Sequence, residues 1–191
     1  QNHYYLNKIL HLFYQGGVVF YLDSNGFGLI SATYDQSTGA EWGCNNFNIP
    51  GAGGVVIGTG YQNTIEIANS WCTNSSSAAN ICYNLNLNGF DDWFLPSKDE
   101  LYEMFLKRNI IGGFQYNGYY WSSSEYDHYD AWNLWVDSTA GVHHFLFDKP
   151  NTYHIRAIRS FSLPNVQDSS NCIWVSNSGW NYISVTDSLG C

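Results

Sequence analysis

The chain has 191 residues, which is enough for one sizeable hydrophobic core. Its net charge is −9 with only 7 Lys and Arg, so no basic cluster is available to neutralise phosphates, which argues against a nucleic-acid partner. Its apolar runs are too short to span a bilayer, so we expect no membrane insertion.

The composition is poor in charge and rich in aromatic residues. Charged residues make up 12% of the chain, against about 25% in an ordinary soluble domain, and aromatic residues make up 18%. Tyr, Trp, Ser, Asn and Gly are typical of surfaces that bind through ring stacking and short polar contacts. A loop-rich extracellular β protein that buries its aromatic residues in the core has the same composition, so composition leaves both interpretations open.

Five cysteines are distributed along the chain without any Cys-x-x-Cys pair, so the spacing of a zinc site is absent. This pattern favours an oxidising, extracellular compartment. Cys172 and Cys191 bracket one short segment, and we predict a disulfide between them. One of Cys44, Cys72 and Cys82 is left unpaired within the chain, and the sequence does not say which.

The first half opens with an aromatic lead-in over residues 1–13. Residues 16–23 (GGVVFYLD) and 27–33 (FGLISAT) predict two β-strands, joined by a tight turn at Ser-Asn-Gly 24–26. Residues 35–60 are Gly-rich and predicted to be irregular.

Two helices are predicted next, over residues 62–71 and 75–85. We expect the first to be capped by residue 63 or 64 and to bury Ile67 and Trp71 on its core face.

A third helix, over residues 98–107, is indicated by a capping box of Ser97 and Glu100. The acids at 91, 92, 99 and 100 are interpreted as turn and helix N-terminal charges rather than general acids or bases. Arg156 and Arg159 are expected to pair with buried acids or to brace loops rather than to take part in catalysis.

The second half reads as a series of short strands. They are predicted over residues 119–124, 131–136, 142–147 and 153–161, with turns at 137–141 and 148–151. A polar linker over 163–170 precedes a separate unit at 171–191.

Seven stretches resemble, in order, the Lcl C-terminal domain family. They are GGVVFYLD, GLISAT with AEWGC, GTGYQNT, GFDDWFLPSKDEL, YWSSSEY, AWNLWV and HIRAIRSF. The resemblance covers roughly residues 14–161 and defines a domain over 14–162. It implies an α+β, C-type-lectin-like fold, with short helices packed on small antiparallel sheets, also similar to the formylglycine-generating enzyme. It implies a secreted adhesin or receptor-binding role, often in oligomers.

The tail resembles a different family. Residues 182–191 end in SVTDSLGC, a pattern similar to the close of SprB-type repeats in the giant surface adhesins of gliding Bacteroidota. Residues 171–191 are therefore expected to be a partial, β-rich repeat at the C-terminus.

Candidate binding residues alternate with scaffold residues along 120–160. Strand alternation is expected to place many of the polar and aromatic ones on one exposed face or its rim. The expected scaffold is Trp121, Ala131, Trp132, Ile155, Ala157 and Phe161. The expected ligand-binding residues are Tyr126, Asp127, His128, Tyr129, Asn133, Trp135, Asp137, His143, Asp148, Asn151 and Tyr153.

No metal or cofactor is expected at these strands. His143 and His144 are adjacent, so they point to opposite faces and do not easily share an ion. The Glu-Pro-Asn, Gln-Pro-Asp and Trp-Asn-Asp triplets of calcium-dependent lectins do not occur. Binding is therefore expected to be calcium-independent, while a structural calcium ion is left open.

The sequence favours a non-enzymatic module that binds a glycan or a surface protein of another cell. An enzyme related to the formylglycine-generating enzyme would need a late pair of reactive cysteines, and no Cys lies between Cys82 and Cys172. The alternative is a structural or decorating subunit of an extracellular filament or virion fibre, and a homo-oligomer is compatible with both.

Overall fold

A computed structural model describes residues 13–137 and 141–163, and shows an α+β architecture built mostly from antiparallel strands. The predictions for residues 1–12 and 164–191 lie outside the described residues, including the Cys172–Cys191 disulfide and the partial repeat. The strands are β1 (Phe13–Tyr14), β2 (Gly17–Leu22), β3 (Phe27–Ser31), β4 (Ser37–Glu41), β5 (Tyr119–Glu125), β6 (Asp130–Val136), β7 (Val142–Asp148), β8 (Thr152–Ile155) and β9 (Ile158–Ser162). The helices are α1 (Gly60–Ala68), α2 (Ala78–Tyr83), α3 (Lys98–Leu106) and α4 (Arg108–Ile111).

A four-stranded antiparallel sheet has the order β1-β2-β3-β9 and contains the predicted first hairpin. The carboxylate of Asp23 fixes the turn, because its Oδ1 accepts hydrogen bonds from the backbone N–H groups of Asn25 (2.8 Å) and Phe27 (2.9 Å). Gly26 has φ +86°, which a side chain would disfavour. A Cβ at Gly28 would overlap the ring of Phe161 across the sheet, so glycine lets β3 and β9 pack closely.

A five-stranded sheet has the order β4-β8-β5-β6-β7. The hairpin of β6 and β7 keeps an unbroken antiparallel register, from Asp130 opposite Asp148 to Val136 opposite Val142. The β5–β8 pair is parallel, with Tyr120 opposite His154. Strand β4 lies in the stretch predicted to be irregular, so that prediction was wrong for residues 37–41.

The prediction of a single strand over residues 153–161 was wrong. The strand is interrupted between β8 and β9, which belong to different sheets, so this segment joins the two sheets. The buried guanidinium of Arg156 holds the break: its Nε donates to Asp35 (2.7 Å) and its Nη1 and Nη2 donate to the carbonyls of Ala32, Gly112 and Gly113.

Arg159 lies beyond the break, on β9. It forms two bonds, of 2.6 and 2.7 Å, to the Asp92 carboxylate. The prediction that both arginines brace loops is confirmed, but the acid that pairs with Arg159 is not buried, since the Asp92 side chain is 46% exposed.

The first helix begins at residue 60, earlier than predicted, after Thr59 at the N-cap. Asn63 is therefore inside the helix, where its buried amide exchanges two hydrogen bonds with the backbone of Gly54 (2.6 and 3.1 Å). Ile67 is buried as predicted. The helix ends at Ala68, so the prediction that Trp71 is buried on its core face was wrong.

The predicted capping box opens α3: Ser97 accepts from the N–H of Glu100, and Glu100 accepts from the N–H of Ser97. Glu100 is fully buried and its Oε1 also accepts from the N–H of Gly58 at 2.8 Å. Burial raises the pKa of this carboxyl, although backbone N–H groups stabilise its charged form. Glu100 thus ties the start of α3 to the loop before α1.

The core consists of two clusters of buried apolar side chains. One contains Trp42 and Trp121, whose indole N–H groups donate to the carbonyls of Ser122 (2.8 Å) and Ala40 (3.0 Å). Trp121 is therefore a scaffold residue, as predicted. The other cluster packs α3 against the five-stranded sheet through residues such as Met104 and Leu134.

Cys44 and Cys72 form a disulfide, and Cys82 is a buried free thiol whose pKa is raised by burial. The sequence did not say which of these three cysteines is unpaired, and the structure identifies Cys82. The disulfide ties the loop after β4 to the segment after α1 and is consistent with an oxidising compartment.

We predict that the double variant Cys44→Ala/Cys72→Ala loses about 3 to 4 kcal/mol of unfolding free energy, since the bond closes a loop with a sequence separation of 28. Urea unfolding measures the loss. Cys82→Ala is the control, because it removes a buried thiol but no cross-link and is expected to cost about 1 kcal/mol. Equal losses in both variants would contradict a cross-linking role.

Candidate functional site

The register of the five-stranded sheet gathers aromatic side chains from four of its strands on one face. Tyr119, Trp135 and His143 are opposite one another on β5, β6 and β7. Phe145 and Phe147 follow at alternate positions on β7, and Tyr153 comes from β8. We call this set, Tyr119, Trp135, His143, Phe145, Phe147 and Tyr153, the aromatic face.

The rings of the aromatic face contact one another around Tyr119. The centroid of its ring lies 6.4 Å from Trp135, 6.0 Å from Phe145, 5.0 Å from Phe147 and 5.2 Å from Tyr153. Phe145 is 38% exposed, His143 is exposed, and the other four are partly buried. The result is a continuous patch of rings on the β-sheet, exposed at His143 and Phe145 and partly exposed at the other four residues.

Asn133 was predicted to bind ligand, and the structure corrects this. It is only 1% exposed, with Trp121 and Phe145 as its cross-strand neighbours. Neither atom of its amide has a hydrogen-bond partner. The Asn133 side chain is shorter than the rings around it and does not reach solvent, so it is not presented to a partner.

The opposite face of the same strands carries Trp132 and His144. Trp132 was expected to be core but is only partly buried, with the Lys98 Nζ 5.2 Å from its ring centroid and Tyr126 5.6 Å away. His144 lies between the rings of Trp132 (6.4 Å) and Tyr102 (5.6 Å). Burial and the nearby Lys98 lower the pKa of His144.

The hairpin tip, residues 126–129, connects β5 and β6. Asp127 shapes it, because its Oδ1 accepts from the backbone N–H groups of Tyr129 (2.7 Å) and Asp130 (2.8 Å), which lowers the Asp127 pKa. Tyr126 and Tyr129 are exposed, and the rings of His128 and Tyr129 are 3.9 Å apart. Asp127 therefore positions the exposed aromatic residues at the tip.

The predicted binding residues thus fall into separate groups. Trp135, His143 and Tyr153 belong to the aromatic face. The hairpin tip contains four more, and Asp148 and Asn151 are exposed at the turn after β7. Asp137 directly follows β6 and is partly buried.

Tyr119, Phe145 and Phe147 were missed. A signal for the two Phe residues was present, since alternation along 142–147 places them on the face of His143. Phenylalanine carries no polar atom, so a pattern of polar and hydrogen-bonding residues does not identify these two positions.

A buried ion pair, also missed, joins the hairpin tip to two other connections. The Nζ of Lys149 lies 2.6 Å from Glu125 Oε1 and donates to the Phe47 carbonyl at 2.8 Å. The Glu125 carboxylate accepts from the N–H of Ile49 at 2.9 Å, and the Lys149 Nζ lies 4.8 Å from the Trp42 ring centroid. The pair therefore fixes the loop at 44–49 beside the tip and the turn after β7.

The described part of the chain shows no group of three or more His, Cys, Asp or Glu residues placed to hold a metal ion. Among its helices, none has the length and apolar character needed to cross a membrane.

Comparisons with known proteins give little similarity. No protein-family model and no curated protein matches the sequence. A fimbrial protein from Bacteroides ovatus ATCC 8483 is similar in structure, with a TM-score of 0.49 and 14% sequence identity over 69% of this chain. The match spans 35% of that protein. The resemblance to the Lcl C-terminal domain family stays a prediction from the sequence motifs.

We predict that Lys149→Met costs about 3 to 5 kcal/mol of unfolding free energy, because it leaves the Glu125 carboxylate buried without its cation. The control is Lys98→Met, since the side chains of the Lys98–Asp99 pair are 24% and 41% exposed and the pair is expected to contribute less than about 1 kcal/mol. Chemical denaturation compares the two, and similar losses would contradict a special role for the buried pair.

We predict that the protein becomes less stable as pH falls below about 6.5 and that His144→Phe weakens this dependence. The pKa of His144 is lowered in the folded state, so below the unfolded value the unfolded chain binds the proton more readily. Its contribution is complete above that pH and is lost as pH falls through the folded pKa. Thermal melts between pH 7.5 and 5 measure this. The variant His128→Phe, at the exposed tip, is the control and should keep the wild-type dependence.

Proposed function

We propose that this protein is a non-enzymatic recognition module that acts outside the cell and binds a partner surface through the aromatic face. The observation that carries the proposal is the ring cluster around Tyr119, which is open to solvent on the five-stranded sheet. The partner is a glycan or a protein on another cell, and binding needs no calcium ion.

The type of side chain on the aromatic face and the rigidity of its backbone support this proposal. Partly exposed Trp, Tyr and Phe rings remove large apolar areas from water when covered, and few polar atoms have to be desolvated with them. Pairing of β5 with β6 and β7 fixes the backbone beneath the rings before binding. Little conformational entropy is then lost on association.

The acidic and histidine side chains outside this face support a non-enzymatic role. Asp35 accepts hydrogen bonds from Arg156, from the Tyr120 hydroxyl (2.8 Å) and from the Nδ1 of His154 (3.0 Å). Glu100 caps a helix and Asp92 pairs with Arg159. Each of these groups has a structural task.

For the fold, we propose the finer assignment that the motifs imply, a C-type-lectin-like domain over residues 14–162. A four-stranded antiparallel sheet and a mostly antiparallel five-stranded sheet, with short helices packed beside them, support it. The disulfide Cys44–Cys72 supports an extracellular location.

A second candidate function, a structural subunit of an extracellular filament, is favoured by strand β7. It is the outermost strand of its sheet, seven residues long, and carries neither Pro nor Lys along its described edge. Such an edge can pair with a strand of another chain. Phe145 and Phe147 lie on this strand, so a subunit contact would cover the same surface.

We predict that Trp135→Ala/Phe145→Ala weakens partner binding at least tenfold, since an anchor ring typically contributes about 1 to 2 kcal/mol or more. Binding is measured on glycan arrays and on intact cells, with and without EDTA. Tyr116→Ala removes an exposed ring from the loop before β5 and is the matched control.

The outcomes separate the two functions. Saturable binding that survives EDTA and is lost only in the double variant supports the recognition module. Absence of binding, together with concentration-dependent assembly in sedimentation that the double variant abolishes, supports the filament subunit instead.

A further inference from the structure

We propose that Phe47 and Trp71 form a second binding site, separate from the aromatic face, that takes a neutral carbohydrate. Neither residue belongs to strands β5 to β8, and the proposal does not depend on what the aromatic face binds.

Trp71 is 79% exposed, the highest value among the exposed large hydrophobic side chains described. Its ring meets the ring of Phe47 edge-to-face, with centroids 4.6 Å apart, and Phe47 is itself 44% exposed. A Trp so exposed contributes little to the core. The two rings form a corner, with the indole as one wall and the phenyl ring as the other.

The corner is rigid for reasons unrelated to the rings themselves. Trp71 is next to Cys72, and the disulfide to Cys44 binds its segment to the loop that carries Phe47. The carbonyl of Phe47 accepts from the buried Lys149, and its N–H donates to the Cys44 carbonyl at 3.2 Å.

The backbone of this loop is also strained. Cys44 has φ +52° and Asn46 has φ +67°, values that side chains rarely adopt. Strain of this kind persists only where the surroundings enforce it, and it is often found at ligand sites.

The two segments that form the corner are uncharged and rich in amides. Residues 42–50 and 69–76 contain no Asp, Glu, Lys or Arg. Asn45, Asn46 and Asn48 are exposed on both sides of Phe47. An indole face packs on the C–H face of a pyranose ring, and amides both donate to and accept from sugar hydroxyls.

This chemistry favours a neutral sugar over a protein partner or an acidic glycan. Protein interfaces surround their aromatic anchors with a polar rim in which arginine is common, and an acidic sugar needs a cation. Within these two segments the sequence supplies no cation, and the Lys149 ammonium beneath is already paired with Glu125.

Affinity electrophoresis in native gels tests the proposal, with dextran, mannan, galactan and laminarin as neutral probes and alginate as the acidic probe. We expect at least one neutral probe to retard the wild-type protein, and alginate not to. Trp71→Ala and Phe47→Ala should weaken retardation, Trp71→Ala at least about tenfold, and Trp71→Phe should retain part of it.

Two control variants isolate the site. Tyr83→Ala removes an exposed ring from α2, and Tyr116→Ala removes one from the loop before β5; both residues lie outside the two proposed sites, and both variants should migrate like the wild type. An intact Cys44–Cys72 disulfide by peptide mass and an unchanged melting temperature show that Trp71→Ala keeps the fold.

Several results would overturn the proposal. They are retardation by none of the neutral probes, equal retardation of Trp71→Ala and wild type, or stronger retention by alginate. A fourth is a loss of self-association in Trp71→Ala during sedimentation without any neutral-probe effect, which would identify a second copy of the chain as the occupant.

Discussion

The buried pair of Lys149 and Glu125 is the interaction on which the arrangement of the surface depends. The Lys149 side chain has no solvent exposure and Glu125 very little, so each charge needs the other to offset its lost hydration. Each charged group also forms a hydrogen bond to the backbone: Lys149 donates to the Phe47 carbonyl, and Glu125 accepts from the N–H of Ile49. Three connections that are distant in sequence are therefore held together: the loop after β4, the hairpin tip and the turn after β7. Backbone hydrogen bonds join the same connections, from the N–H of Trp42 to the Lys149 carbonyl (3.0 Å) and from the N–H of Lys149 to the Tyr129 carbonyl (2.9 Å), so the pair reinforces a backbone framework.

Local signals predicted the local structure well. The first hairpin, the capping box of α3 and the strands around 119–147 depend on neighbours within a few residues, so their patterns are visible in the sequence. The break between β8 and β9 was not predictable in this way. It is held by Arg156 through groups at 32, 35, 112 and 113, which only the folded chain brings together. The end of the first helix was likewise not predictable from local patterns. The helix stops at Ala68, and the segment that follows is held by the disulfide from Cys72 to Cys44.

Which aromatic residues are buried was harder to predict, because the composition is compatible with both an aromatic core and an aromatic binding surface. The structure divides the rings between the two: Trp42, Trp93 and Trp121 are buried, while Trp71 and the hairpin-tip tyrosines are exposed. Alternation correctly placed Trp135, His143 and Tyr153 on one face. Alternation also placed Asn133 on this face, but it indicates only the side of the sheet to which a side chain points. Whether a side chain reaches solvent depends on its height relative to its neighbours, and Asn133 is shorter than the rings of Trp121 and Phe145 beside it.

A patch of contacting rings next to an open sheet edge would ordinarily promote aggregation. Two features of this chain oppose that. Its net charge of −9 repels other copies, and an acid, Asp148, follows Phe147 at the border of the patch. This acid repels another copy of this chain most strongly, because that copy brings the same acid. It repels an uncharged partner far less. The charges therefore favour a neutral or basic partner surface over an acidic one, while the rings select a partner by its shape.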